Sequence, residues 1–273
     1  MTSSSRRLDL IVGLVGTASV VAFVPKVFWR EAAPYRDFLT EEVLLYSGSI
    51  IKLVFLFLSG WFAVRSARRL EEGNPARRPW ALLGAGFLSF FLGQAILGFH
   101  VMVLRQPSPF PSWGDVFFVA AYPLLIGALV EFIRAYRAVG LAVGTVAEHA
   151  GLALGAAALL GVVDFMLLKP ILASPAPALE RYLNAAYPTL DFALLVPIMV
   201  LIRITSRFQG GRVAFVWTML LTGGICLCAG DIAFAYFSTM GKPGLDPLAD
   251  VLFVLAYLFI ARGTMAQHEL LTS

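Results

Sequence analysis

Apolar residues run along this chain in eight long blocks separated by short polar stretches. A membrane-spanning helix takes about 20 residues, within a range near 17 to 25. The blocks fall at 8–25, 43–64, 80–104 and 113–135, then at 144–168, 185–203, 213–237 and 247–264, with the sixth and eighth marginal in length. The pattern predicts an all-α polytopic membrane protein of about eight transmembrane helices. The first block follows a charged start, as a signal peptide would, but Phe23-Val24-Pro25-Lys26 offers no small-residue cleavage site, so it reads as the first span.

Composition agrees: 59% of the 273 residues are hydrophobic and 14% are charged, against roughly a quarter charged in a soluble domain. The net charge of +4 does not point to nucleic acid, because the arginines sit in short loops between apolar blocks. They report direction instead. An inside N-terminus puts Arg6, Arg7, Arg65, Arg68, Arg69, Arg77, Arg78, Arg134, Arg137, Arg203, Arg207, Arg212 and Arg262 on the cytoplasmic side. It leaves Lys26, Arg30, Arg36, Arg105, Lys169, Arg181 and Lys242 opposite. Thirteen against seven predicts both termini in the cytoplasm of a bacterial inner membrane. Cys226 and Cys228 lie inside an apolar block and read as small packing residues.

The chain also repeats itself. Laying Trp80 on Trp217 brings Leu83 onto Leu220, Gly86 onto Gly223, Gly93 onto Gly230, Gln94 onto Asp231 and Phe99 onto Tyr236 without a gap. After a two-residue slip, Asp115-Val-Phe-Phe-Val-Ala-Ala-Tyr122 falls on Asp250-Val-Leu-Phe-Val-Leu-Ala-Tyr257, with six identities in eight positions. This predicts two four-helix repeats, residues 1–138 and 139–273. An even number of spans in each makes them parallel, related by an axis along the membrane normal.

Ionisable groups inside a bilayer cost at least about 2.5 to 3.5 kcal/mol at a helix centre, so they face the bundle interior, a partner or water. Lys52, Gln94, His100, Asp164, Asp191 and Asp231 are all expected in the outer halves of their spans, with Asp115 and Asp250 at the outer helix starts. Asp115 and Tyr122 share a helix face about 10.5 Å apart in height, and Asp250 and Tyr257 repeat them. Tyr187 and Asp191 lie one turn apart on a single face, and Tyr236 lies beyond Asp231. Together these twelve residues predict an outward-facing polar pocket. Two other roles stay open: Asp115 and Asp250 as helix caps, and Lys52 as an ion-pair partner of Asp191 or Asp231. His100 reads as hydrogen-bonded or solvated rather than as a metal ligand. The pattern identifies no cofactor.

Pro111-Ser-Trp-Gly-Asp115-Val-Phe-Phe-Val-Ala-Ala-Tyr122-Pro123-Leu-Leu resembles a stretch of the multi-helix membrane module at the N-terminus of bacterial diguanylate cyclases and phosphodiesterases. There the pattern runs approximately Pro-Ser-x-x-Asp-x-x-Tyr/Phe-x-x-x-Tyr-Pro. Tyr187-Pro-Thr-Leu-Asp191-Phe-Ala-Leu-Leu, Gly230-Asp231-x-x-Phe-x-Tyr236 and Asp250-Val-Leu-Phe-Val-Leu-Ala-Tyr257 agree with it, so the similarity covers about residues 80 to 264. The resemblance implies a sensory or signal-coupling module. Family members continue into a cytoplasmic signalling domain, whereas none is expected here after Arg262.

The expectation is therefore a non-enzymatic sensor or interaction subunit in the lipid bilayer. It would work through a separate cytoplasmic or membrane signalling protein, or as a homo-oligomer. A transporter or channel using the intramembrane carboxylates is the alternative. An intramembrane zinc enzyme is disfavoured, since such a site takes three ligands rich in histidine and only His100 lies at that depth.

Overall fold

A computed structural model of the protein describes residues 3–29, 31–141, 143–205 and 211–272, leaving the side chains at 3–5, 164, 166 and 243 outside the description. Arg30 and Arg207, which entered the charge count, are likewise outside the described residues. The helices are α1 (Ser3–Phe28), α2 (Glu41–Arg69), α3 (Arg77–Met102), α4 (Trp113–Ala138) and α5 (Val146–Val163). A π turn (Asp164–Leu168) leads into short α6 (Lys169–Ala173), and then come α7 (Ala178–Thr205), α8 (Arg212–Thr239) and α9 (Asp246–Thr272). All except α6 are long and apolar enough to cross a membrane, and the described residues contain no strand. The chain is an all-α polytopic membrane protein.

Local chemistry explains where the helices start and stop. Thr40 caps α2 by accepting the Val43 N–H at 3.3 Å, and Glu41 and Glu42 followed at the far end by Arg68 and Arg69 suit the helix dipole. Ser112 and Asp115 form a reciprocal box at the start of α4: the Ser112 N–H donates to Asp115 Oδ2 at 2.5 Å, and the Gly114 N–H donates to Ser112 Oγ at 3.1 Å.

The two spans that looked marginal are in fact full length, α7 with 28 residues and α9 with 27. Charges that close an apolar block in sequence are absorbed by partners in the fold. Arg262, expected as a loop charge, is only 2% exposed. Its Nε donates to Asp9 Oδ1 at 2.6 Å, its other arm reaches Glu269 at 3.5 Å, and its guanidinium lies 5.0 Å from the Phe215 ring centroid. With that charge matched, α9 continues helical to Thr272.

Six helices close a ring in the order α2–α3–α4–α7–α8–α9, with α9 packing back on α2. α1 lies outside against α9, and α5 lies outside against α7 with none of its residues buried. An ion pair between Arg203 of α7 and Glu148 helps hold α5 there. Lipid tails are as apolar as leucine, so such helices associate by close packing rather than by hydrophobic burial. Positions that align in the sequence accordingly make matching contacts. A Cβ on Gly86 would strike Leu125 at 2.6 Å and approach the Ala121 carbonyl; one on Gly223 would strike Ile260 at 2.5 Å and approach the Ala256 carbonyl. Gly93 meets Phe118 as Gly230 meets Phe253. At the arginine-rich end, Trp80, Phe132 and Trp217 interlock with centroids 4.9 to 6.5 Å apart, and Trp217 Nε1–H donates to the Tyr136 hydroxyl at 2.7 Å.

Candidate functional site

Toward the opposite end of the ring, α4, α7 and α8 bring three polar side chains together. The Tyr122 hydroxyl donates to Asp191 Oδ1 at 2.7 Å, and Asp231 Oδ2 lies 3.3 Å from the same hydroxyl oxygen. The two carboxylates are therefore within about 6 Å of each other. Asp191 is fully buried, and its Oδ2 has no hydrogen-bond partner. Asp231 retains some exposure. Among the described residues, no lysine or arginine forms an ion pair with either carboxylate.

A phenol carries one proton, and Tyr122 gives it to Asp191. The contact with Asp231 is then a hydrogen bond only if a carboxyl proton supplies it. Two bare carboxylates this close in a medium of low dielectric would also repel strongly with no cation to offset them.

A second layer leads from the cluster to the end of the bundle. The Tyr187 hydroxyl donates to Asp115 Oδ1 at 2.5 Å, and the Tyr122 and Tyr187 rings lie 6.5 Å apart. Tyr257, 5% exposed, lies on α9, which packs against α8. Asn184, two turns before Asp191 on α7, is buried with its Oδ1 also unpartnered. Sequence reading missed Asn184; its seven-residue spacing from Asp191 was the available signal.

The other expected pocket residues make different contacts or none with the cluster that the structure describes. Lys52 pairs with Asp250 at 2.8 Å and not with Asp191 or Asp231. The reason is positional: α2 packs on α9, whereas α7 and α8 hold the other two aspartates. Asp250 therefore does not cap, because α9 already begins at Asp246. Asp115 does cap, and it binds Tyr187 as well. Gln94 is buried on α3 with no described hydrogen bond to the cluster. His100 turns its Nδ1 to the Ile96 carbonyl of its own helix at 2.9 Å. Tyr236 is 37% exposed and faces Lys242, whose Nζ is 5.9 Å from the ring. The Asp164 side chain lies outside the described residues.

One turn toward the arginine-rich end, the lining becomes almost entirely apolar. Leu125, Leu194 and Leu227, the neighbours of Tyr122, Asp191 and Asp231, join Leu83, Phe87 and Ile198 around a cavity of about 40 Å³. That volume would admit water, but water needs two to four polar partners, and the one indole N–H in these walls, that of Trp217, is already given to the Tyr136 hydroxyl.

No family model matches the sequence, and neither the curated proteins nor the solved structures yield a similar chain. Fold and site define a class all the same: an all-α polytopic membrane protein with a carboxylate pair between its helices and, among the described residues, no cation paired to it.

Proposed function

We propose that the protein is an integral-membrane sensory or signal-coupling subunit whose responsive element is the Tyr122–Asp191–Asp231 cluster. The observation that carries this reading is the buried, unpartnered Oδ2 of Asp191 beside a second carboxylate on the same hydroxyl. Such a group is satisfied by a proton or by a hydrogen-bond-donating ligand, and a ligand shifts a helix packing only by binding one arrangement better than the other. The helix suited to move is α7. Pro188 and Pro197 flank Asp191, and each removes a backbone hydrogen bond, so this helix is the least rigidly specified wall of the site.

The family resemblance supports the same reading and suggests a separate signalling protein, or a second copy of the chain, as the receiver. The same resemblance favours a bacterial inner membrane, and the excess of arginines on one side favours both termini in the cytoplasm. A transporter would draw on the same carboxylates. The apolar cavity one turn further in offers such a path no polar step.

The test is reconstitution in nanodiscs with tryptophan fluorescence and hydrogen exchange of α7 followed from acid to alkaline pH. The wild type is expected to show one transition that is absent in Asp191→Asn and Asp231→Asn. Proton or solute flux in liposomes that Asp231→Asn abolishes would instead establish transport.

A further inference from the structure

At the arginine-rich end, the α2–α3 connection forms a notch unrelated to the carboxylate cluster. Its cavity of about 360 Å³ is lined by Arg68, Arg77, Arg78, Asn74 and Glu72 together with Val64, Ala67 and Ala81. Arg68 belongs to the last turn of α2, where positive charge suits the helix dipole. Arg77 and Arg78 do not have that excuse. They open α3 at its positive end, with no acid in the first turn and no side-chain cap.

Internal compensation at the notch is slight. Glu72 approaches Arg77 at 3.3 Å, but its side chain is 96% exposed, and an ion pair in water stabilises little. Asn74 has committed its Oδ1 to the Ala76 N–H at 2.9 Å, which leaves its amide N–H groups as donors. The rim thus presents guanidinium and amide donors together with the unfavourable positive end of a helix. An anion with several acceptor oxygens answers all three.

We propose that this notch is a phosphate-binding site at the membrane surface. Guanidinium forks match phosphate oxygens in geometry as well as charge. Arginines beside the apolar side chains of Val64, Ala67 and Ala81 along the α2–α3 seam suit an anionic phospholipid, headgroup at the arginines and acyl chain against the helices. Free phosphate shares the headgroup chemistry but would leave the apolar part unused.

Native mass spectrometry of the full chain in detergent separates these sources, with phosphatidylglycerol, phosphatidylcholine and inorganic phosphate added in turn. One phosphatidylglycerol is expected to stay bound where phosphatidylcholine does not, with retention falling roughly tenfold in Arg77→Gln/Arg78→Gln. Arg134→Gln/Arg137→Gln removes the same charge from the end of α4 and is expected to leave retention unchanged. The notch variant relieves a charge–dipole clash, so its thermal unfolding should come no lower than the wild type's, and that measurement excludes misfolding as the cause. Retention of inorganic phosphate alone, lost in the same notch variant, would support the site and assign it the free anion. Equal loss in both double variants would show general surface charge and overturn the proposal, as would no retention of either probe.

Discussion

The two halves of the ring use equivalent positions in opposite ways. The spacing that carries Asp115 onto Asp250 and Tyr122 onto Tyr257 also carries Lys52 onto Tyr187 and Leu56 onto Asp191. Contacts follow the same correspondence: Lys52 of α2 meets Asp250 of α9, and Tyr187 of α7 meets Asp115 of α4. In the α2–α9 contact, a cation neutralises the aspartate, and one turn on sits Leu56 with no exposed surface. In the α4–α7 contact, a neutral phenol takes the cation's place, and one turn on sits a buried carboxylate with an oxygen left over. Gln94 and Asp231 complete the contrast. One region is electrostatically closed, while the other holds unmatched acceptor capacity in the same framework, so the difference belongs to side chains rather than to fold.

Exchanging side chains between the regions should break the comparison if it is wrong. The largest effect is expected for Leu56→Asp, which buries a carboxylate in a packed site with at most the Tyr257 hydroxyl, the counterpart of Tyr122, to donate to it; the loss should be about 3 kcal/mol or more in detergent unfolding. A variant as stable as wild type would mean that the quiet region tolerates charge and that the contrast is empty.

Lys52→Leu should cost about 2 to 3 kcal/mol by stranding Asp250, at the low end for a buried pair because Asp250 keeps 28% of its side-chain exposure. Lys52→Leu/Asp250→Leu should recover most of that loss. Additive losses in the double-mutant cycle would remove the pairing from the account.

Tyr122→Phe should cost about 2 kcal/mol, since its hydroxyl serves a buried carboxylate, whereas Tyr257→Phe should cost under about 0.5 kcal/mol. Equal costs would erase the distinction between the two tyrosines. The smallest change is expected from Asp191→Leu, which copies Leu56: a gain of about 1 kcal/mol together with loss of the pH-dependent transition. A functional group held at a cost to stability would show that signature.

Much of this architecture is legible in the sequence because bilayer thickness imposes block length directly. All eight spans were visible, and Asp115 was legible as a candidate cap at the start of α4. The ends of α7 and α9 were less visible, because Arg262 looks like a boundary until Asp9 and Glu269 are brought beside it. Lys52 shows the same limit. Its depth announced a partner, but which aspartate it met depended on the order of helices in the ring, which no local pattern contains. Spacing placed Asp191 one turn from Tyr187 and aligned Asp231 with Gln94. That both acids would meet at Tyr122 follows only from the packing of α4 against α7 and α8.

The most direct measurement is difference infrared spectroscopy of the reconstituted protein, read at the carbonyl stretch of a protonated carboxylic acid. At neutral pH the wild type should show one such band, absent in Asp191→Asn or Asp231→Asn and unchanged in Asp250→Asn. Absence of the band from the wild type, or its loss only in Asp250→Asn, would contradict the assignment of the responsive proton to the Tyr122–Asp191–Asp231 cluster.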